Sequence, residues 1–219
     1  MLSNNLFNLK VFKTEIKLLS MSKFKSLLIV SLILDSFKGV GRYELDSDLN
    51  SIQEWCYSEA QKSEGRQYSN VSGWQSESYY PDDVVNTPLF DLFYSIKKTS
   101  FEIYESLGIK SEPLIWDSWV NINPPGGYNR VHVHPRCRVA GVFWVKTSNS
   151  PASGNLTFFR NNSYEVGSIS DDHTTQYSNS IATFHPFENN LVLFPAYMQH
   201  HVEQNQTDED RISISFNML

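Results

Sequence analysis

Three histidines in this sequence have the residue type and the spacing of a transition-metal site. His132 and His134 flank a single valine, and His200 follows much later in the chain. Side chains alternate between the two faces of a β-strand, so residues two apart point to the same side. Imidazole is the commonest protein ligand for such metals. The pattern therefore predicts a metal site with catalytic ligands from His132, His134 and His200.

The alternative for each histidine is a structural role, since a single histidine on a strand is more often a hydrogen-bonded residue than a ligand. A same-face pair differs, because two buried imidazoles repel each other when protonated and each needs a hydrogen-bonding partner. A metal ion bound by both imidazoles keeps them unprotonated and gives each of them a partner. His200 and His201 are adjacent and point to opposite sides of a strand, so only one of them can join the pair.

The elements that must position these histidines are short β-strands. From Ile115 onward, runs rich in β-branched and aromatic residues alternate with turn residues, and no stretch with helical spacing separates them. This pattern predicts an antiparallel sandwich or jelly roll. On the last predicted strand, Arg211 and Ser213 are two residues apart and share a face.

The first half of the chain has helical spacing instead. Apolar residues recur at helical intervals after a capping residue, Asp48, and again after Pro88. We therefore expect a helical and loop region over residues 1–114 that packs on a β core over residues 115–219. The fold class is mainly β with N-terminal helices, and the two regions form one structural domain.

Composition restricts the function. The 219 residues carry a formal net charge of −6 and no basic stripe, which argues against nucleic acid as a partner. Aromatic residues make up 14% of the chain, which fits a β-rich core. No Gly-x-Ser-x-Gly motif indicates a serine hydrolase. Cys56 and Cys137 form no Cys-x-x-Cys motif and are expected to be reduced thiols.

One segment resembles an export signal. Lys23 and Lys25 precede the apolar run Leu27–Leu34. The run is shorter than the roughly 20 apolar residues that span a bilayer, and no small-residue cleavage site follows it. A buried helix or strand is the favoured interpretation, so we expect a cytoplasmic protein without a membrane partner. Homo-oligomerisation stays open.

Longer stretches of the sequence resemble a known family. The stretches WVNINPPGGYNRVHVHPRCRVAGVFWV, LVLFPAYMQHHVEQN and RISISFN resemble the 2-oxoglutarate/Fe(II)-dependent oxygenases of the double-stranded β-helix class. The resemblance extends from about Ser69 to the C-terminus. It implies a double-stranded β-helix (jelly roll), Fe(II) as cofactor, 2-oxoglutarate as cosubstrate, and hydroxylation of a small molecule or side chain whose identity the sequence does not reveal.

The resemblance also implies roles for single residues. His132 corresponds to the first metal ligand and His200 to the distal ligand. Arg211, with Ser213, corresponds to the clamp for the far carboxylate of 2-oxoglutarate. Position 134 departs from the pattern, because His134 stands where the family carries an aspartate or glutamate. Asn121 shares a strand face with other polar residues, and we expect it to line the cofactor-binding cleft.

A second interpretation uses the same histidines. Three-histidine iron sites occur in cupin-type dioxygenases and isomerases, and the spacing from Gly126 to the His132/His134 pair fits the first cupin motif. The glutamate of that motif is missing, and a plain cupin does not need Arg211 and Ser213. A non-catalytic metal-binding module is the third possibility. The 2-oxoglutarate oxygenase is the favoured interpretation.

Overall fold

The computed structural model describes residues 40–159 and 181–219. The apolar run Leu27–Leu34, on which the export interpretation depends, lies outside these residues. The described part of the chain is mostly β, with two α-helices and antiparallel sheets. Within it, no helix is long and apolar enough to cross a membrane.

The two helices lie in the first half of the chain, where the sequence has helical spacing. Helix α1 spans Leu49–Ala60 and begins at Asp48, whose carboxylate accepts a hydrogen bond from the backbone N–H of Ser51. Helix α2 spans Leu89–Ser106 and is followed by Gly108, which has a φ of +69°. Glycine adopts this left-handed conformation without a steric penalty.

The strands form two facing sheets. In chain order they are β1 (Gly41–Glu44), β2 (Asn70–Val71), β3 (Trp74–Gln75), β4 (Ile115–Asn123), β5 (Tyr128–His132), β6 (Val139–Lys146), β7 (Leu156–Phe159), β8 (Ile181–Phe184), β9 (Asn190–Pro195), β10 (His200–Val202) and β11 (Arg211–Met218). One sheet has the order β1-β9-β6-β11-β4-β3, and the other has the order β2-β5-β10-β7-β8. From β4 onward the described strands belong alternately to the two sheets, except that β7 and β8 are neighbours in the same sheet.

Alternation along β11 shows how the core is divided. Ile212, Ile214 and Phe216 are fully buried and belong to the cluster between the larger sheet and the two helices. A second cluster, which includes Trp144 and Phe194, fills the space between the sheets. The intervening residues of β11 point into that inter-sheet space, and they include the polar residues on which the candidate site is built.

Candidate metal centre

The three predicted histidines converge at one end of the space between the sheets. His132 is the last residue of β5 and His200 is the first residue of β10, and the two are opposite each other in the antiparallel register. His134 lies beyond the end of β5. The ligand nitrogens of the three side chains all lie within 4.8 Å of one another.

His134 reaches the cluster through a backbone contact. Pro135 follows it and has no N–H to donate to a continued ladder. The backbone N–H of His134 donates instead to the carbonyl of Ala196 at 2.9 Å, which brings it beside His200. Strand alternation alone therefore does not explain how His132 and His134 come together.

Hydrogen bonds fix the orientation of two of the imidazoles. Nδ1 of His132 lies 2.7 Å from the carbonyl oxygen of Arg130, and Nδ1 of His200 lies 2.9 Å from the carbonyl oxygen of Met198. A carbonyl only accepts, so each Nδ1 carries the proton and donates. The remaining nitrogen, Nε2, then has a free lone pair, as a metal ligand requires.

His134 follows the same rule. Its Nδ1 lies 2.7 Å from the side-chain oxygen Oδ1 of Asn217, and its Nε2 lies 3.2 Å from Nε2 of His200. Two ligands about 2.1 Å from a shared metal and at right angles to it lie about 3.0 Å apart. The residues therefore fit a metal ion, which would remove the repulsion between facing lone pairs.

The surroundings keep the imidazoles neutral. Burial, together with the neighbouring histidines, lowers the pKa of His134 to about 4 and that of His200 to about 2. Burial also lowers the pKa of His132. Neutral imidazole is the form that binds a metal. Among the described residues, the cluster contains no carboxylate.

Aromatic side chains pack against His134 and His200. The ring of Trp119 stacks on His134 with a centroid distance of 5.7 Å and an interplanar angle of 19°. The rings of Phe194 and Phe158 lie 4.7 and 5.6 Å from His200. An apolar shell limits access of water and strengthens electrostatic interactions at the site.

A cavity opens beside the histidines. The non-atom space in and around it is about 460 Å³, which includes open solvent at its mouth. The cluster forms one part of its wall. Polar residues on the interior faces of β4 and β11 form another part, namely Asn121, Ser213 and Ser215. Asn121 and Ser213 were predicted from the sequence.

Arg211 has a different position from Ser213. It lies at the opposite end of β11 from Asn217, and only 1% of its surface is exposed. Its Nη1 donates to the backbone carbonyls of Ser153, Gly154 and Glu203. It is not among the residues that line the cavity. Burial lowers its pKa to about 10, with Glu203 acting in the opposite direction.

Several buried polar atoms on this interior wall have no hydrogen-bonding partner. Among the described residues they are Oδ1 of Asn121, Oδ1 and Nδ2 of Asn123, and Nη2 of Arg211. An unsatisfied buried polar group costs roughly 1–3 kcal/mol. Four such atoms on adjacent strands are what a polar ligand or ordered water would satisfy.

The sequence analysis missed Asn217. Its position relative to Arg211 and Ser213 follows the two-residue period of a strand, so the same alternation that grouped those two residues includes it. This spacing was the available signal. What the pattern lacked was a reason to connect Asn217 with His134.

Comparison with known proteins gives one family match. Residues 117–217 match the model of the family described as "Putative 2OG-Fe(II) oxygenase". The matched segment includes β4 through β11 almost completely, together with all three histidines. No curated protein sequence matches the chain.

Solved structures share the fold at low sequence identity. A prolyl-4-hydroxylase from Pseudomonas putida has a TM-score of 0.59 and 15% identity, covering 83% of this chain and 92% of that one. The α-ketoglutarate-dependent carbocyclase SnoK from nogalamycin biosynthesis has a TM-score of 0.60 and 10% identity, covering 90% and 87%. HygX from Streptomyces hygroscopicus, solved with nickel and 2-oxoglutarate bound, has a TM-score of 0.54 and 10% identity, covering 83% of each chain.

The family match and the fold agree with the resemblance seen in the sequence. The three-histidine cluster lies inside the matched segment and lines the inter-sheet cavity. Residues 117–217 are thus similar in sequence to the 2OG-Fe(II) oxygenase family, and the described structure shares its fold with α-ketoglutarate- and 2-oxoglutarate-binding proteins of known structure.

Proposed function

We propose that the protein is a hydroxylase that binds Fe(II) through Nε2 of His132, His134 and His200. The observation that carries this proposal is the convergence of three neutral imidazoles whose Nδ1 protons are all engaged elsewhere. When bound, iron with 2-oxoglutarate and dioxygen supplies the oxidising power for inserting one oxygen atom into a C–H bond. Succinate and carbon dioxide are the coproducts.

We further propose that the inter-sheet cavity binds 2-oxoglutarate, with its far carboxylate directed along β11 toward Arg211. Ser213 would donate its hydroxyl to that carboxylate, and Asn121 would border the same subsite. Arg211 is a buried cation, and no ion pair involving it is found among the described residues. A buried charge without an oppositely charged partner is costly, which supports an anionic ligand near Nη2 of Arg211, which has no hydrogen bond.

The test is ligand-induced stabilisation under anaerobic conditions. A ligand that binds only the folded state raises the melting temperature by mass action. We expect 2-oxoglutarate to raise the melting temperature of the Fe(II)-loaded protein. Arg211→Ala and Ser213→Ala should reduce that rise while both variants still bind iron. An undiminished rise in both variants would contradict the proposed clamp.

A cupin-type dioxygenase or isomerase is the second candidate, because the cluster has three histidines and no carboxylate among the described residues. It needs the same metal but no 2-oxoglutarate. If iron stabilises the protein and 2-oxoglutarate adds nothing, the cupin-type function is favoured. The substrate of either activity is a small molecule or a side chain that fits the cavity beside Trp119.

A further inference from the structure

Two side chains outside the metal cluster are linked to His134 by hydrogen bonds. Asn217 on β11 and Asp117 on β4 are opposite each other in the antiparallel register. Nδ2 of Asn217 donates to Oδ1 of Asp117 at 2.8 Å, while Oδ1 of Asn217 lies 2.7 Å from Nδ1 of His134. The three side chains form one continuous hydrogen-bonded chain.

The donor and acceptor assignments follow from the carboxylate. An ionised carboxylate only accepts, so the amide group of Asn217 must direct its NH₂ toward Asp117. Its oxygen is then left facing His134, and an oxygen can only accept from Nδ1–H. The thiol of Cys137 lies 3.4 Å from this oxygen and 3.4 Å from the backbone carbonyl oxygen of His134, and it can donate to either. The proton of His134 is thereby held on Nδ1 and the lone pair on Nε2.

We propose that Asp117 and Asn217 are positioning residues that hold His134 as a metal ligand in place of the acid usual at this position. The proposal rests on the proposed metal site. Three neutral imidazoles leave the full charge of a divalent metal uncompensated. A carboxylate linked to a ligand imidazole raises the basicity of that ligand, and here Asp117 is linked to His134 through one amide.

The experiment uses the full chain labelled with ¹⁵N-histidine, and Zn²⁺ as the metal probe. The ¹⁵N chemical shifts report which nitrogen of each imidazole is protonated, and competition with a chelator gives the zinc affinity. We expect Asn217→Leu, which keeps the approximate volume, to give His134 a mixed tautomer and to lower zinc affinity by about 10- to 100-fold. Asp117→Asn should act in the same direction with a smaller effect. His185 and His201, which lie outside the cluster, should keep their shifts in both variants.

A swapped double variant serves as the matched control. Asp117→Asn combined with Asn217→Asp exchanges amide and carboxylate, so both hydrogen bonds can form again, and the His134 tautomer and zinc affinity should return toward wild type. Wild-type shifts and affinity in Asn217→Leu would overturn the proposal. If that variant does not fold, a mixed His134 tautomer in the swapped variant would overturn it. Because neither measurement involves 2-oxoglutarate, the proposal can fail or succeed independently of the proposed reaction.

Discussion

His132 and His200 are opposite each other across strands β5 and β10, with their ring centroids 4.3 Å apart. The register between the two strands shifts immediately after this pair. The pairing of β5 with β10, which joins two distant parts of the sequence, therefore lies at the proposed metal site. Any change that slips this register would separate two of the three proposed ligands.

The metal-free protein should lose stability as the pH falls below about 6.5. The folded-state pKa values of His134 and His200 lie near 4 and 2, below the value of an unfolded histidine. The unfolded chain therefore takes up protons that the folded chain does not, and each such proton costs about 1.4 kcal/mol per pH unit. Urea denaturation between pH 7 and pH 5 measures this slope. A stability that does not change over this range would contradict the neutral cluster.

Replacing His134 separates a ligand from a packing residue. We expect His134→Asp to retain metal, because a carboxylate restores the two-histidine, one-carboxylate arrangement of non-haem iron sites. His134→Ala should lose metal affinity by a large factor. Calorimetric titration with Fe(II) under argon compares both variants with His201→Ala, which alters a histidine outside the cluster. Equal affinities in the alanine variant and wild type would mean that His134 is not a ligand.

Gly154→Ala should destabilise the protein and displace Arg211. Gly154 has a φ of +88°, and an added Cβ would collide with the carbonyl oxygen of Glu203 and with Nη1 of Arg211. Gly108→Ala is the matched control, because Gly108 has a φ of +69° but no neighbour within 4 Å of an added Cβ. Thermal unfolding should give a clearly larger loss for Gly154→Ala. Similar losses would show that backbone strain alone accounts for both.

Phe158→Ala should be strongly destabilising and should loosen His200. Phe158 is fully buried, and its ring packs against both Phe194 and His200. Removing such a side chain typically costs about 3–5 kcal/mol. Phe101→Ala, at a position that is 49% exposed, should change the free energy of unfolding by roughly 0.5 kcal/mol or less. A loss below about 1 kcal/mol for Phe158→Ala would contradict the described packing.

Alternation along the strands made much of the site predictable. The periods of β5 and β11 indicated which residues face inward, and the helical spacing after Asp48 lies where α1 is found. The place of His134 could not be derived in this way, because it depends on a backbone hydrogen bond to Ala196, far away in the sequence. No local pattern encodes such a contact.

Arg211 illustrates a second limit. Its spacing from Ser213 gives the correct strand face, but the direction of a long side chain depends on what surrounds it. The carbonyls that hold its Nη1 belong to Ser153, Gly154 and Glu203, in loops that precede β7 and follow β10. Tertiary structure alone brings these loops together.

X-ray absorption at the iron edge of the Fe(II)-loaded protein, recorded without oxygen before and after addition of 2-oxoglutarate, tests the central claim most directly. The account predicts three imidazole nitrogens at about 2.0 to 2.2 Å from the metal, as in other histidine sites. It also predicts two additional oxygen ligands when 2-oxoglutarate is present. Fewer than three imidazole ligands, or an iron environment that 2-oxoglutarate leaves unchanged, would contradict it.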